Sequence, residues 1–207
     1  MDQTLVRGDL TELRCILDFQ KRGYYCSIPF SGSCRYDVIA DVNGKLLRIQ
    51  CKSASLATDS EGSIKIATVR STTNTHETKK YTYSKDEIDF FYTYWENYGF
   101  LIPVEECSTS KYLRMKKPQN GIQETMSIAA DYLIDNVIEA ICENKTIKKY
   151  RDNRIISIDE NGQEHLWTTQ ELQAKYEDRQ IRYIKEKIMK NGKAYELNWK
   201  YKEFPAL

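Results

Sequence analysis

The chain has 207 residues, 41% hydrophobic and 29% charged, a balance that builds a packed core and excludes a disordered or low-complexity protein. The net charge of +1 excludes a uniformly basic surface, but it hides a local asymmetry. Residues 121–143 carry five acids and no Lys or Arg, while residues 175–202 carry nine basic and four acidic side chains; a polyanion is expected on the second stretch.

Leu10, Leu13, Ile16, Leu17 and Gln20 recur at helical spacing, which predicts a helix from Leu10 to Lys21 closed by Gly23. Tyr24 to Pro29 reads as a strand, Ser31 to Ser33 as a loop, and Tyr36 to Asp41 as a second strand. Asn43-Gly44 then separates two strand-like runs, and both residues tolerate positive φ, so a hairpin leads into a third strand, Leu46 to Lys52. Ser63 to Arg70 alternates as a fourth strand, and polar Ser71 to Lys80 reads as a mobile loop. Ser84 with Glu87 three residues on forms a capping box, predicting a helix from Ser84 to Tyr98, followed by a strand from Phe100 to Val104.

The first domain is expected to span 1–115. Residues 116–153 then hold a linker and a helix from Gln123 to Asn144. That helix shows an apolar stripe (Met126, Ala130, Leu133, Val137, Ile141) and an acidic face (Asp131, Asp135, Glu139), and the stripe could serve the core or a subunit contact. Residues 154–207 form a third region: a strand from Ile155 to Ile158, a turn at Asn161-Gly162, a helix capped by Thr168 with Glu171, and a second helix from Arg179 to Lys190. Trp167, Tyr183 and Trp199 are expected in its core.

Six cysteines, at 15, 26, 34, 51, 107 and 142, form no CxxC pair, and His76 and His165 have no metal-ligand spacing. Reduced thiols and a cytoplasmic location, or a nucleoid or organelle-matrix one, are therefore expected, not a disulfide frame or a zinc site. Neither a signal peptide nor a membrane span is expected, since the first residues lack an apolar run and no stretch of about 18 apolar residues occurs.

Four polar residues of the first domain carry chemistry. Side chains alternate along a strand, so Leu46, Arg48, Gln50 and Lys52 share one face of the third strand, with Leu47, Ile49 and Cys51 turned to the core. Across the hairpin, Asp37 at the start of one strand comes beside Gln50 and Lys52 at the end of the next. Glu12 shares a helical stripe with Cys15, Ile16 and Phe19, where a carboxylate is costly unless paired or bound to a metal. Taken singly, Asp37 is an ordinary strand-edge acid and Lys52 an ordinary exposed base. Together, hard oxygen ligands and a lysine suit metal-assisted phosphodiester hydrolysis, with Mg²⁺ favoured and Mn²⁺ substituting.

Arg35-Tyr36-Asp37-Val38-Ile39-Ala40-Asp41 followed by Arg48-Ile49-Gln50-Cys51-Lys52, with Glu12 ahead of them, resembles the PD-(D/E)XK nuclease superfamily. Tyr36 stands where proline is usual and Gln50 where an acid is usual. Both departures occur in a branch that includes group I intron-encoded homing endonucleases and Mrr-like restriction nucleases. Asp89-Phe90-Phe91-Tyr92 and Phe100-Leu101-Ile102-Pro103-Val104 also look like the intron-endonuclease group. The resemblance implies an α/β restriction-endonuclease-like core, a mixed sheet flanked by helices, with Glu12, Asp37, Gln50 and Lys52 catalytic and the first three holding the metal. It further implies double-stranded DNA as substrate, cut by a homo-oligomer, dimer or tetramer. Two histidines are too few for an HNH centre, and no GIY-YIG or LAGLIDADG string is present.

The C-terminal region, with Thr168-Thr169-Gln170-Glu171-Leu172 and Ile181-Arg182-Tyr183-Ile184, resembles the small helix-turn-helix module at the C-terminus of several homing endonucleases. Arg179, Arg182 and Lys185 are expected on phosphates and Gln180 at a base edge, with Arg35 and Arg70 adding DNA contacts from the first domain. The readings carried forward are a homing endonuclease, a restriction, repair or junction-resolving nuclease of the same fold, and a decayed DNA-binding protein.

Overall fold

The N-terminal helix carries apolar residues on two sides, and only one of them faces the rest of its unit. In the computed structural model, which describes residues 3–73, 77–116, 126–147, 149, 155–189, 193–195 and 197–201, helix α1 spans Gln3–Lys21 and so begins ahead of Leu10. Its inner face buries Thr11, Cys15 and Phe19. Gly23, at φ +83°, ends it: the Gly23 amide donates to the Gln20 carbonyl at 2.9 Å and the Tyr24 amide to the Phe19 carbonyl at 3.1 Å, a left-handed helix stop.

Strands β1 (Tyr25–Ser27), β2 (Val38–Val42) and β3 (Lys45–Cys51) follow. Asn43 and Gly44 take φ of +54° and +83°, as the two-residue hairpin turn requires. Next come β4 (Ala54–Leu56), β5 (Ser63–Ala67), β6 (Val69–Thr73), β7 (Thr78–Thr82), β8 (Phe90–Trp95), β9 (Tyr98–Pro103) and β10 (Ser110–Arg114). A 3₁₀ turn at Ala129–Tyr132 leads into helix α2 (Ile134–Cys142).

The central sheet has the order β1-β2-β3-β8-β9. It is mixed: β3 and β8 run parallel, with Ile49 opposite Phe90, and the other pairs are antiparallel. One face packs Val38, Ala40, Ile49, Tyr92 and Leu101 against Phe19 of α1 and Val137 of α2. The other packs Phe91, Phe100 and Ile102 against Ile64, Ile66 and Leu113 of a three-stranded sheet, β10-β5-β4. The alternation of Phe91 and Tyr92 to opposite faces is the period-two signature of a strand covered on both sides.

The second compact unit, within 155–201, orders β12-β11-β14-β13, from β11 (Ile155–Ile158), β12 (Glu164–Trp167), β13 (Lys193–Ala194) and β14 (Leu197–Tyr201). Helices α3 (Thr169–Lys175) and α4 (Asp178–Met189) lie between β12 and β13 in the chain. Thr168 and Glu171 form the expected reciprocal cap. The core is Ile155, Trp167, Leu172, Ile184, Ile188 and Ala194.

Four expectations are corrected. Ser84 to Tyr98 is not helical. The Ser84 amide donates to Glu87 Oε2 at 3.1 Å and Glu87 N to Ser84 O at 3.1 Å, so a single capped turn forms. The aromatic and β-branched run Phe90–Trp95 then pairs into the sheet instead. Ser71–Thr73 and Thr78–Lys80 are not loop, because β6 and β7 form a two-stranded ribbon; residues 74–76 lie outside the described residues. The acidic helix is shorter than Gln123 to Asn144; residues 117–125 lie outside the described residues, and Asp131, expected on its exposed face, is only 6% exposed. Of the apolar stripe, Ala130 and Val137 are buried and Leu133 and Ile141 pack partly buried against the core, while the neighbouring Ile134 and Ile138 are buried beside Val137. In the second unit Trp167 is core as expected, while Tyr183 is 42% exposed; the Trp199 side chain lies outside the described set.

Candidate active site

Hairpin geometry puts Asp37 where the sequence spacing leads. The Asp37 amide donates to the Ile49 carbonyl at 2.9 Å, extending the β2–β3 ladder past its end. Asp37 Oδ2 accepts from the Cys51 amide at 2.7 Å and from Gln50 Nε2. The same Gln50 nitrogen points at the Cys51 carbonyl, 3.4 Å away. A carboxylate oxygen, a main-chain carbonyl and a side-chain amide therefore converge on one point. The amide N–H sits between the two oxygens as the local positive group. Its oxygen is near-isosteric with its nitrogen, so a turn of the amide offers Oε1 to the same point. This hard-donor set fits a divalent cation. Among the described residues no three His, Cys, Asp or Glu side chains gather as a metal cage; the donors here include an amide and a main-chain oxygen.

Glu12 reaches the cluster from α1. Burial raises its pKa, and the charges of Asp37 and Asp9 raise it further, with Lys52 opposing. Burial likewise pushes Asp37 up, against its bond from the Cys51 amide and the charge of Lys52. Lys52 stands just beyond β3, where its amide donates to the Tyr92 carbonyl at 2.9 Å and so continues the parallel β3–β8 pairing. Burial lowers its pKa, while Asp37, Cys51 and Glu12 hold it up. Its Nζ lies 5.5 Å from the centre of the Tyr83 ring.

Tyr83 is a site residue that sequence spacing did not point to. Its ring packs edge-on against Phe91 at 5.4 Å. Its hydroxyl pKa is pushed up to about 12, first by burial and then by the charge of Asp37. It sits between a Thr-rich run and a capping turn, neither of which marks a site. Cys51 was expected to be core and is, hydrogen-bonded to Cys15, which with burial raises its pKa. Arg48, on the same strand face as Gln50, is structural: its guanidinium grips both Asp89 oxygens, at 2.9 and 3.1 Å.

The expected DNA contacts are dispersed. Arg35 pairs with Glu87 at 3.1 Å, and its charge acts on Tyr83. Arg70 lies on β6, its guanidinium 5.1 Å from the centre of the Tyr81 ring. In the second unit, Arg179 and Arg182 are exposed and Lys185 half-buried on α4. Gln180 Oε1 accepts from the Glu177 amide at 2.9 Å, capping the helix start with the group expected at a base edge.

The model of the PD-(D/E)XK endonuclease family matches residues 2–135, and so spans α1, the hairpin and the whole central sheet. The chain belongs to that family. Its members generally use divalent metal ions. A bacterial homing endonuclease, I-Ssp6803I, superposes with a TM-score of 0.58 at 21% identity, covering 70% of this chain and 99% of its own. That likeness is one of fold. The search of curated proteins gives no match. Among the described residues of this PD-(D/E)XK protein, no helix is long and apolar enough to cross a membrane.

Proposed function

We propose that this PD-(D/E)XK protein is a sequence-specific, Mg²⁺-dependent double-strand DNA endonuclease, acting as a homing enzyme. The observation that carries the chemistry is the convergence of Asp37, Gln50 and the Cys51 carbonyl beside Lys52 and Glu12. Tyr36 and Gln50 at the two variant positions fit both homing and Mrr-like nucleases, and the homing reading rests on Asp89-Phe90-Phe91-Tyr92 and Phe100-Leu101-Ile102-Pro103-Val104, which look like the intron-endonuclease group. Asp37, Glu12 and Gln50 would hold Mg²⁺, with Mn²⁺ as substitute, and the ion when bound supplies Lewis acidity and a more acidic water. Lys52, half-buried, keeps a positive charge beside the reacting phosphate, where it neutralises charge developing on the phosphate oxygens. Tyr83 covers one side of that ammonium and restricts its rotamers. Arg179, Arg182 and Lys185 on α4 would bind phosphates from the second unit, with Arg35 assisting from the first. The six free cysteines suit the reducing cytoplasm.

Cutting both strands needs two centres, so the working form is a homo-oligomer. The outer side of α1 supports this. Val6, Leu10, Leu13 and Leu17 follow the 3- and 4-residue spacing of a coiled-coil seam, opposite Cys15 and Phe19, and the three leucines are 55%, 61% and 39% exposed. The seam fits a second copy of itself.

The test is Asp37→Ala assayed on supercoiled plasmid with Mg²⁺. Cleavage is expected to fall at least a hundredfold while duplex binding, which rests on distributed phosphate contacts, is retained. A variant cutting at more than about a tenth of the parent rate removes Asp37 from the metal site. A parent protein that binds duplex DNA without cutting it establishes the decayed alternative.

A further inference from the structure

The β6–β7 ribbon has no function in the fold that its composition explains. It forms a sheet of two strands, joined by no third strand among the described residues. Every residue of β7 is exposed. An isolated two-stranded ribbon is only marginally stable in water, and one that served packing would turn an apolar face inward. This one presents Arg70, Lys79 and Lys80 with the hydroxyls of Ser71, Thr78 and Thr82, against one acid, Glu77, which pairs with Lys79 at 3.3 Å on the surface and would yield to a phosphate. These are donors and cations, the groups that meet phosphate oxygens and base-edge acceptors.

We propose that the β6–β7 ribbon enters the major groove of the DNA beside the cut, with Arg70 reading a base edge and Lys79 and Lys80 holding the flanking phosphates. The assignment rests on the nuclease reading above. Strands about 4.8 Å apart, with their side chains, fit a major groove about 12 Å wide. Arg70 stands opposite Tyr81 in the ladder, with its guanidinium over that ring. Stacking of this kind limits the rotamers of the guanidinium and readies its planar fork for the two acceptors of a guanine.

Position in the chain ties reading to cutting. Thr82, the last residue of β7, is followed at once by Tyr83, which packs on Phe91, lies by the Lys52 ammonium and feels Asp37. The ribbon thus leaves the protein directly from the catalytic cluster. In the proposed arrangement one phosphate lies at Asp37 and Lys52, and the neighbouring groove lies on the ribbon that runs into Tyr83. Sequence reading is therefore not confined to the basic stretch at 175–202, where charge counting alone would place it.

The experiment uses the full-length protein in two assays. The first is the salt dependence of binding to a mixed-sequence duplex oligonucleotide. The second is cleavage of a plasmid library with randomised inserts in Mg²⁺, with the cut ends sequenced. Lys79→Ala and Lys80→Ala are each expected to lower the salt slope by about one without changing the preferred cut sequence. Arg70→Ala is expected to lose roughly tenfold preference at one base position while cleavage continues. Arg70→Lys keeps the charge, and should keep the slope yet lose the same preference; a merely structural role would be restored by it. Uniform weakening with preference intact overturns base reading by Arg70. Slopes and cut sequences unchanged in all four variants, with the parent cutting, overturn the ribbon proposal alone. A parent that neither binds nor cuts duplex DNA overturns the nuclease reading with it.

Discussion

At the scale of single residues, the site is a place where chemistry and stability oppose each other. Glu12 and Asp37 both have pKa values raised by burial, so each holds its proton more tightly folded than unfolded. Stability therefore falls as pH rises from the ordinary carboxylate range through the raised values, and the deficit persists at neutral pH. Cation binding needs the ionised forms, so cleavage should rise through the same window. Glu12→Gln should remove part of the penalty. We expect the variant to be inactive and, without divalent ions, more stable by roughly 0.5–1 kcal/mol. Mg²⁺ should raise the melting temperature of the parent more than that of the variant; equal shifts would place Glu12 outside the cation site. Lys52 works in the opposite sense. Its folded pKa is lowered, so its cost is present at neutral pH and is relieved as pH climbs between the folded value and the ordinary lysine range. Lys52→Met should cost about 10²–10³ in rate with no loss of melting temperature, and parallel losses of both would mark a structural ion pair. Asp37, Gln50 and Lys52 were legible in the sequence because strand alternation and an Asn-Gly turn fix their relation. Tyr83 was not, because it arrives through a pairing distant in sequence.

At the scale of elements, helix α1 comes closest to the central sheet at Gly99 and Tyr92. Tyr92 Oη donates to Asp18 Oδ2 at 2.7 Å, and a Cβ on Gly99 of β9 would lie 2.2 Å from that oxygen and 2.9 Å from the Tyr92 hydroxyl. Gly99→Ala must push the helix or break the bond. It should destabilise by about 1–3 kcal/mol, read by chemical denaturation, and an unchanged midpoint would mean that the helix yields freely. Arg22 adds a second fixing, gripping Asp135 of α2 with Nε–Oδ1 at 2.5 Å and Nη2–Oδ2 at 2.8 Å. Local signals were reliable where the motif was local, as at Gly23, Asn43-Gly44 and Thr168-Glu171. Ser84-Glu87 misled because a capping box specifies a first turn and nothing beyond it. The residues after it, Phe90 to Trp95, are placed by burial on both faces of a sheet. β4 escaped notice because three residues are too few for an alternation to show, and the ribbon because its polar strands carry no apolar face.

For the whole molecule, the outward apolar seam of α1 is the surface that makes assembly testable. Leu13→Glu leaves the inner face untouched and puts a charge in the middle of the seam. The parent is expected to sediment as a dimer or larger, and the variant as a monomer that nicks one strand but makes double-strand breaks at least tenfold more slowly, since each break then needs two separate encounters. A variant that sediments as the parent does would move the subunit contact elsewhere. The seam was within reach of the sequence, since Leu10, Leu13 and Leu17 define the helix and the stripe of Cys15 and Phe19 on the opposite side is the one read as inward, as the core bears out.

The parallel pairing of β3 with β8 also sets the order in which the proposed centre is completed. The β2–β3 hairpin is local and closes within microseconds, bringing Asp37 to Gln50 on its own. Ile49 meets Phe90 only after a loop of about forty residues has closed, a slow, entropically costly event. Lys52 and Tyr83 take their places with that closure, because the Lys52 amide bonds the Tyr92 carbonyl and Tyr83 leans on Phe91. A nascent chain is therefore expected to bring Asp37 to Gln50 before Lys52 is positioned, so that the proposed cleavage would begin only after synthesis has passed β8.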